Sequence, residues 1–222
     1  VAHPGCLDLH QIRYLLSPTA ILNGDLLLAA RQPDGSVLVM IGDGSGHGLP
    51  AAVTALPAAE AFYAMALKGF PIAEIVLEIN TTLREILPTD LFFAACLFHL
   101  DEGGRVLQAW NGGMPDLLIV NPTGQIRHRI PSQHLPLGVV ATSKIDTAPV
   151  VEKVFPGERV YAYSDGLIEA SNPQGERFGS ERLIACFNRT SRADEWFDTI
   201  RRALDDFRQD MPAPDDTTLV EV

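Results

Sequence analysis

This chain of 222 residues has few cysteines, no excess of basic residues and no long apolar run. Its three cysteines, Cys6, Cys96 and Cys186, are far apart and match no metal-binding spacing. We therefore expect reduced thiols and a cytoplasmic protein. Lysine and arginine number 17 against 28 acidic residues, and the net charge of -11 argues against nucleic acid or an anionic membrane as the main partner. No signal peptide or membrane-spanning run is visible in the sequence.

The remaining composition is that of a globular chain, with 46% hydrophobic and 20% charged residues. A chain of this length can bury a sizeable core as one large domain, and no linker or repeat divides residues 1–222. The first residue is Val1 and not methionine. We expect the chain to be a fragment of something longer, or a processed product.

Hydrophobic patterns predict an α+β fold in which strands come mostly in hairpins, which favours antiparallel sheets. The unbroken apolar run at 91–98 predicts a central strand that is packed on both faces. Strands are predicted at 10–16, 25–31, 36–42, 91–100, 104–110, 116–121, 125–130, 149–155, 158–164 and 217–222. Helices are predicted at 48–67, 71–87, 180–189 and 193–209. Two sheets flanked by helices, an α-β-β-α sandwich, follow from this order.

In three of the predicted helices the sequence also predicts a helix break or a buried face. Pro57 lies inside the first of them and should kink it or end its first part. Apolar residues at helical spacing along the second helix predict packing on a sheet, and they are Ile72, Ile75, Val76, Ile79, Leu83, Ile86 and Leu87. A similar stripe predicts that the last helix packs on the core, through Trp196, Phe197, Ile200, Leu204 and Phe207.

A glycine-rich turn at residues 41–52 joins a predicted strand to a long apolar helix, and Asp43 lies in it between two glycines. Glycine there lets a carboxylate and backbone carbonyls approach a ligand closely. The turn lacks the third glycine of a dinucleotide fingerprint and the Gly-Lys-Ser/Thr of a P-loop. An EF-hand loop that started at Asp43 would end at Thr54 instead of a bidentate glutamate. A plain strand-to-helix turn remains the alternative.

Further acids stand at strand ends beside glycine or proline. Asp25 begins one apolar strand, Asp165 follows another, and the pair Asp215 and Asp216 precedes the last strand. Carboxylates of this kind can converge only around cations, because like charges would otherwise repel and protonate. Ligands that are all oxygen suit Mg²⁺ or Mn²⁺ better than zinc.

Four ordered motifs resemble the PP2C-type metal-dependent protein phosphatases, in the bacterial SpoIIE/RsbU-like subgroup. They are Asn23-Gly24-Asp25, the segment 42–52 that reads Gly-Asp-Gly-Ser-Gly-His-Gly-Leu-Pro-Ala-Ala, the segment from Tyr163 to Gly179, and Asp215-Asp216-Thr-Thr-Leu. The resemblance covers essentially the whole chain. It implies the α-β-β-α sandwich already expected from the patterns.

The resemblance also implies the roles of the acids. Asp43 would bridge two divalent cations, Mn²⁺ or Mg²⁺, and the Gly44 carbonyl would be a further ligand. Asp165 and Asp215 would complete the cation shell, and Asp25 would hold a metal-bound water or the second cation less directly. Two such cations lower the pKa of a bridging water and clamp the phosphoryl oxygens. The catalytic acids are therefore Asp25, Asp43, Asp165 and Asp215, with Asp216 in support of Asp215.

By the same resemblance the chain is a protein serine/threonine phosphatase in bacterial signalling of the two-component kind. The substrate would be a phosphoprotein, an anti-sigma-factor antagonist, and a receiver or sensor domain would lie N-terminal to this chain. The helix pair at 48–87 would be the regulatory switch. Its surplus of apolar surface would be covered by the helix pair itself, by a missing domain or by a second copy in a homodimer. Nucleic acid and membrane are not expected as partners.

Three departures from the family pattern support a rival function. Leu28 replaces a second acid, Met114 replaces a histidine, and residues 17–24 contain no phosphate-binding arginine. The rival is a pseudophosphatase, a binding module that sequesters its partner without turnover. For His47 a structural turn role is favoured over a general acid. Glu169 and Glu176 lie either near the substrate or in a solvated loop.

Overall fold

The computed structural model describes residues 11–17, 24–46, 49–88, 90–190, 192–209, 211 and 215–222. Cys6, Asn23 and His47 lie outside these residues, as does the proline-containing segment 212–214 that precedes the last pair of acids. Cys96 and Cys186 are described, and both are buried and free of any disulfide.

In the described part of the chain, ten strands form two five-stranded sheets in which all neighbours are antiparallel. The first sheet has the order β1 (Arg13–Ser17), β10 (Thr217–Glu221), β9 (Arg159–Tyr163), β6 (Leu117–Val120) and β7 (Ile126–Ile130). The second sheet has the order β2 (Asp25–Arg31), β3 (Val37–Gly44), β4 (Phe93–Leu100), β5 (Val106–Gly112) and β8 (Val150–Lys153).

Helices cover the outer face of each sheet, so the predicted α-β-β-α sandwich is confirmed. The helices are α1 (Leu49–Ala66), α2 (Ile72–Ile86), α3 (Asp165–Glu169), α4 (Gly179–Phe187) and α5 (Trp196–Arg208). One apolar cluster lies between the sheets, a second joins α1 and α2 to the second sheet, and a third joins α3, α4 and α5 to the first sheet. Among the described helices, none combines the length and the apolar character needed to cross a membrane.

Strand β4 shows why the apolar run at 91–98 forms a central strand. It pairs with β3 on one side and β5 on the other, and residues 93–98 are all buried. Cys96 and Phe98 pack between the sheets, whereas Phe93 and Leu97 pack against the helices. Because successive side chains of a strand point to opposite faces, a strand with helices on one side and a sheet on the other is apolar at every position.

The helical stripes are confirmed with one exception. In α2 the residues from Ile72 to Leu83 that were assigned to the sheet are fully or almost fully buried, but Ile86 is 51% exposed in the last turn. Helix α5 buries Trp196, Phe197 and Ile200 against the first sheet.

The structure decides two local points. Helix α1 continues through Pro57 to Ala66, so of the two expected effects of this proline an end to the helix is ruled out. The loop expected after Asp165 begins instead with the short helix α3. Five residues are too few for a helical period to be visible in the sequence, and the helix starts where Ser164 occupies the N-cap position and Asp165 the first turn, where an acid is favourable.

Candidate metal centre

The alternation of side chains along β2 and β3 places two acids on the inner face of the second sheet. Asp25 lies directly opposite Asp43 at the end of this strand pair. Leu27 and Ile41 stand two positions further along the same strands and pack between the two sheets. Side chains two residues apart share one face of a sheet, so both carboxylates also point into the space between the sheets.

The first sheet contributes three polar groups to the same end of the sandwich by the same rule. Val220 packs between the sheets, and Thr218 and Asp216 precede it at steps of two residues. Ala162 also packs between the sheets, and Ser164 follows it by two residues. Apolar side chains fill the rest of this inner layer. The polar residues at the strand ends therefore form one cluster where the sandwich opens.

Two hydrogen bonds join the sheets at this cluster. The Thr218 hydroxyl donates to Asp25 Oδ2 at 2.6 Å, and the backbone N–H of Gly24 donates to Asp216 Oδ2 at 3.0 Å. Ser164 supports them, since its Oγ accepts the Thr218 N–H at 2.9 Å. Charge-assisted hydrogen bonds of this kind are stronger than neutral ones. They hold the ends of β2 and β10 in a defined position.

Three glycines allow the backbone to approach at this site. A Cβ on Gly44 would clash with the Thr54 hydroxyl and lie 2.6 Å from the Ala51 carbonyl oxygen of α1. A Cβ on Gly24 would lie 2.9 Å from Asp43 Oδ1. A Cβ on Gly166 would overlap the Asp216 carbonyl oxygen. The segments that carry the acids are thus packed against one another at backbone distance.

The other two predicted ligands lie at the outer edge of the cluster. Asp165 is the first residue of α3, directly after Ser164. Asp215 is exposed, and its Oδ1 accepts the Asp216 N–H at 2.8 Å. Asp25 and Asp216 are buried, and Asp43 is half-buried, so the cluster runs from the space between the sheets out to solvent.

The electrostatics show that the five acids lie within reach of one another. Burial, and after it the negative charges of Asp25, Asp165, Asp215 and Asp216 in that order, together raise the pKa of Asp43 to about 8. Burial also raises the pKa of Asp25 to about 7, against the hydrogen bond from Thr218. The pKa of Asp165 is raised by burial and then by Asp215. Among the described residues, no lysine or arginine forms an ion pair with Asp25, Asp43, Asp165 or Asp215.

The donor set fits a hard divalent cation. Within the described residues, no three acidic, histidine or cysteine side chains already surround one point at the spacing of metal ligands. Asp25 and Asp216 instead accept hydrogen bonds from Thr218 and from the Gly24 N–H. Asp43, Asp165 and Asp215 are all carboxylates, and with the Gly44 carbonyl they offer only oxygen atoms, which suits Mg²⁺ or Mn²⁺.

All five predicted site residues, Asp25, Asp43, Gly44, Asp165 and Asp215, therefore come together at one end of the sandwich. Asp216 contacts Asp215 through its N–H, and in addition its carboxylate accepts the Gly24 N–H across the sheets. Ser164 and Thr218 were not predicted as site residues. Both could have been predicted from the sequence as polar residues at positions that face the other sheet, on strands whose other inward-facing residues are apolar.

The two departures at Leu28 and Met114 are both buried apolar side chains. Leu28 is fully buried in the layer under α1 and α2, on the opposite face of β2 from Asp25. Met114 is buried between the sheets. Both residues fill the apolar core, so neither removes a ligand from the acids described above.

Gly166→Ala tests the close approach of α3 to the last strand. The added methyl group must push α3 away from Asp216, and overpacking of this kind destabilises by about 1–3 kcal/mol. We expect the melting temperature to fall by roughly 3–10 °C, given about 2–4 °C per kcal/mol for a chain of this size. Gly103→Ala is the matched control, since its Cβ would meet no atom closer than 3.5 Å. Equal melting temperatures for the two variants would contradict the packing described here.

Comparison with known proteins gives one family and one shared fold. The family model described as Stage II sporulation protein E (SpoIIE) matches residues 33–222. IcfG of Synechocystis sp. (strain ATCC 27184 / PCC 6803 / Kazusa) is 29% identical over 136 residues, which are 60% of this chain and 21% of IcfG. The match thus spans about one fifth of the length of that curated relative.

Two solved structures have the same architecture. The SiaA-PP2C domain of Pseudomonas aeruginosa matches with a TM-score of 0.81 at 22% identity, over 95% of this chain and 85% of that chain. The PP2C phosphatase domain of SpoIIE from Bacillus subtilis, solved with a fragment of its regulatory domain, matches with a TM-score of 0.81 at 17% identity, over 95% of this chain and 60% of that chain. At these identities the likeness shows a common fold.

Proposed function

Because this chain belongs to the SpoIIE family of PP2C-type serine/threonine phosphatases, we propose that it hydrolyses phosphoserine or phosphothreonine in a bacterial signalling protein. One observation supports this proposal most. Acids from both sheets converge at the open end of the sandwich, where two hydrogen bonds join β2 to β10 and the first turn of α1 packs on Gly44. A phosphate on the surface of another protein can reach this open end of the sandwich.

We propose that the acids hold two divalent cations, Mn²⁺ or Mg²⁺. Asp43 would lie between them, with the Gly44 carbonyl, Asp165 and Asp215 as further ligands. When bound, the cations supply an activated water and neutralise the phosphoryl oxygens. The chain itself positions the ligands, and the Thr218 hydroxyl keeps the Asp25 carboxylate turned to the inner side of the site.

We propose the wider setting from the same family membership. The substrate would be an anti-sigma-factor antagonist, and a receiver or sensor domain would lie N-terminal to the chain in a cytoplasmic signalling protein. Exposed apolar residues of α1 and α2, among them Leu56 and Ile86, support a regulatory partner or a homodimer on that face.

A phosphatase assay distinguishes the enzyme from the pseudophosphatase. The chain is incubated with a protein that carries one phosphoserine, with Mn²⁺, with Mn²⁺ and excess chelator, and with Zn²⁺. We expect orthophosphate release with Mn²⁺ alone, since the donor set has neither cysteine nor histidine to suit zinc. Binding of the phosphoprotein without any release in Mn²⁺ would favour the sequestering module. The positions of Leu28 and Met114 in the core give no reason to expect that result.

Thermal unfolding in Mn²⁺ tests the metal site without an assay of activity. Saturation of the site at a hundredfold excess over Kd stabilises by about 2.7 kcal/mol, so the melting temperature should rise by roughly 5–10 °C. Asp43→Asn should abolish this rise. In chelator the same variant should melt no lower than the original chain, because the change removes one of several mutually repelling carboxylates. A Mn²⁺-dependent rise of equal size in Asp43→Asn would contradict the assignment.

A further inference from the structure

An arginine side chain pairs with Glu169, which lies one helical turn from the proposed metal ligand Asp165. Asp165 and Glu169 are the first and last residues of α3, and a spacing of four residues places both on the same face of the helix. Arg177 Nη1 lies 2.6 Å from Glu169 Oε1. The charge of Glu169 also contributes to the raised pKa of Asp165, which agrees with this proximity. The guanidinium group is therefore held at the rim of the acidic cluster.

The backbone of Arg177 is fixed, whereas most of its side chain is exposed to solvent. Arg177 pairs with Ser171 in a β-bridge, and the next residue, Phe178, is buried and donates its N–H to the Ala170 carbonyl at 2.8 Å. Asn172 Oδ1 accepts two backbone N–H groups inside the intervening turn. The Arg177 side chain is 67% exposed. A long cationic side chain on a rigid base can reach across the rim with little change in the fold.

The acidic cluster needs such a cation when a phosphate arrives. The carboxylates that surround the site repel a phosphate dianion, and this repulsion opposes the attraction of the bound cations. Among the described residues, no other arginine or lysine forms an ion pair with Asp25, Asp43, Asp165, Asp215 or Glu169. Residues 17–24, ahead of Asp25, contain no arginine. The planar guanidinium group matches two phosphate oxygens, which makes arginine the suitable residue type.

We propose that Arg177 binds the phosphate group of the substrate, and that Glu169 holds its guanidinium group at the rim of the site until the phosphate replaces the carboxylate as partner. This inference rests on the proposed phosphatase function. The alternative is that the ion pair only fastens the loop to α3. Exposed ion pairs contribute little to stability, so a purely fastening role would leave the chemistry almost unchanged when the pair is broken.

Four variants distinguish the two roles at saturating Mn²⁺: Arg177→Ala, Arg177→Lys, Glu169→Gln and the control Arg192→Ala. Arg192 has the same 67% exposure and its own acidic partner, Asp194, at 2.8 Å. We expect Arg177→Ala to raise KM for the phosphoprotein and the inhibition constant of inorganic phosphate by about tenfold or more. Its kcat should stay within about threefold. Arg177→Lys should recover part of the lost affinity, because lysine keeps the positive charge but lacks the planar guanidinium group that can bind two phosphate oxygens.

Glu169→Gln adds a second comparison, since the two roles predict different relations between its KM and that of Arg177→Ala. Phosphate binding by Arg177 predicts an unchanged or lower KM, because the guanidinium group loses its competing partner. A fastening role predicts that Glu169→Gln resembles Arg177→Ala. That resemblance, or an Arg177→Ala variant that behaves like Arg192→Ala, would overturn the proposal.

Calorimetry separates failure of this proposal from failure of the proposed function. Binding of inorganic phosphate to the Mn²⁺-loaded chain is measured with no reaction involved. If the original chain binds phosphate, Arg177→Ala binds it at least tenfold more weakly and neither turns over substrate, the role of Arg177 is supported and the enzymatic function is wrong. Equal phosphate affinity for the original chain and Arg177→Ala would overturn the role of Arg177, whether or not turnover occurs.

Discussion

Replacing Asp43 with asparagine is expected to abolish Mn²⁺-dependent dephosphorylation, with a loss of roughly a thousandfold or more in kcat/KM. Asp43 stands opposite Asp25 at the centre of the cluster, and all the other acids of the site act on its charge. Removal of one negative charge from the position proposed to lie between two cations leaves their charge unbalanced. The measurement is the initial rate of phosphate release from a phosphoserine protein across a Mn²⁺ titration.

Variants of the other acids test the same metal assignment. Asp165→Asn and Asp215→Asn should be as severe, because each is proposed as a direct ligand. Asp25→Ala should be milder, since this carboxylate is engaged by Thr218. Asp146→Asn is the control, because Asp146 is a highly exposed acid outside the cluster. Full Mn²⁺-dependent activity in Asp43→Asn would show that the metal assignment is wrong.

The second large effect concerns helices α1 and α2. We propose that a partner or domain that packs on this helix pair raises phosphatase activity about tenfold or more, a shift between two packings of one element. Helix α1 contacts the proposed metal site directly. Thr54 and the Ala51 carbonyl lie against Gly44, so a shift of α1 moves the backbone that carries a proposed ligand. The outer face of the pair exposes Leu56 by 60% and has a groove that includes Met65, Phe70 and Leu77.

Steady-state kinetics of this chain and of an activated longer protein that contains it test the coupling. Leu56→Ser should change the ratio of their kcat/KM values, while the Mn²⁺-dependent rise in melting temperature stays as large as in the original chain. Val151→Ser is the matched control, since Val151 on β8 is 61% exposed and lies on another part of the surface. Equal kcat and KM for the two proteins on the same phosphoprotein would refute control through the helix pair.

Most of the fold was predictable because its signals are local. The apolar run of β4 shows a strand that is buried on both faces, and the stripe of α2 shows one buried face. The acids Asp25, Asp43 and Asp165 stood out as charges at the ends of apolar strands. These features depend only on the period of the backbone and on the need to bury apolar side chains.

The remaining details depend on contacts between distant segments. Nothing near Asp216 in the sequence shows that its carboxylate binds Gly24 N–H, 192 positions away. The same holds for Thr218 and Asp25, which are joined across the two sheets. Leu28 was interpreted as the loss of an acid because the family motif compares residues by their order in the sequence and does not include the direction of each side chain. The strand alternation places its side chain in the core instead.

The most direct test of the metal centre is a crystal structure grown with Mn²⁺ and measured at the manganese absorption edge. The account predicts two anomalous peaks about 3.5–4 Å apart at the open end of the sandwich, as in two-metal phosphatases. The Asp43 carboxylate should lie between them, with Asp165 and Asp215 bound to them. Absence of any peak at these acids under saturating Mn²⁺, or peaks only at other surface carboxylates, would contradict the account.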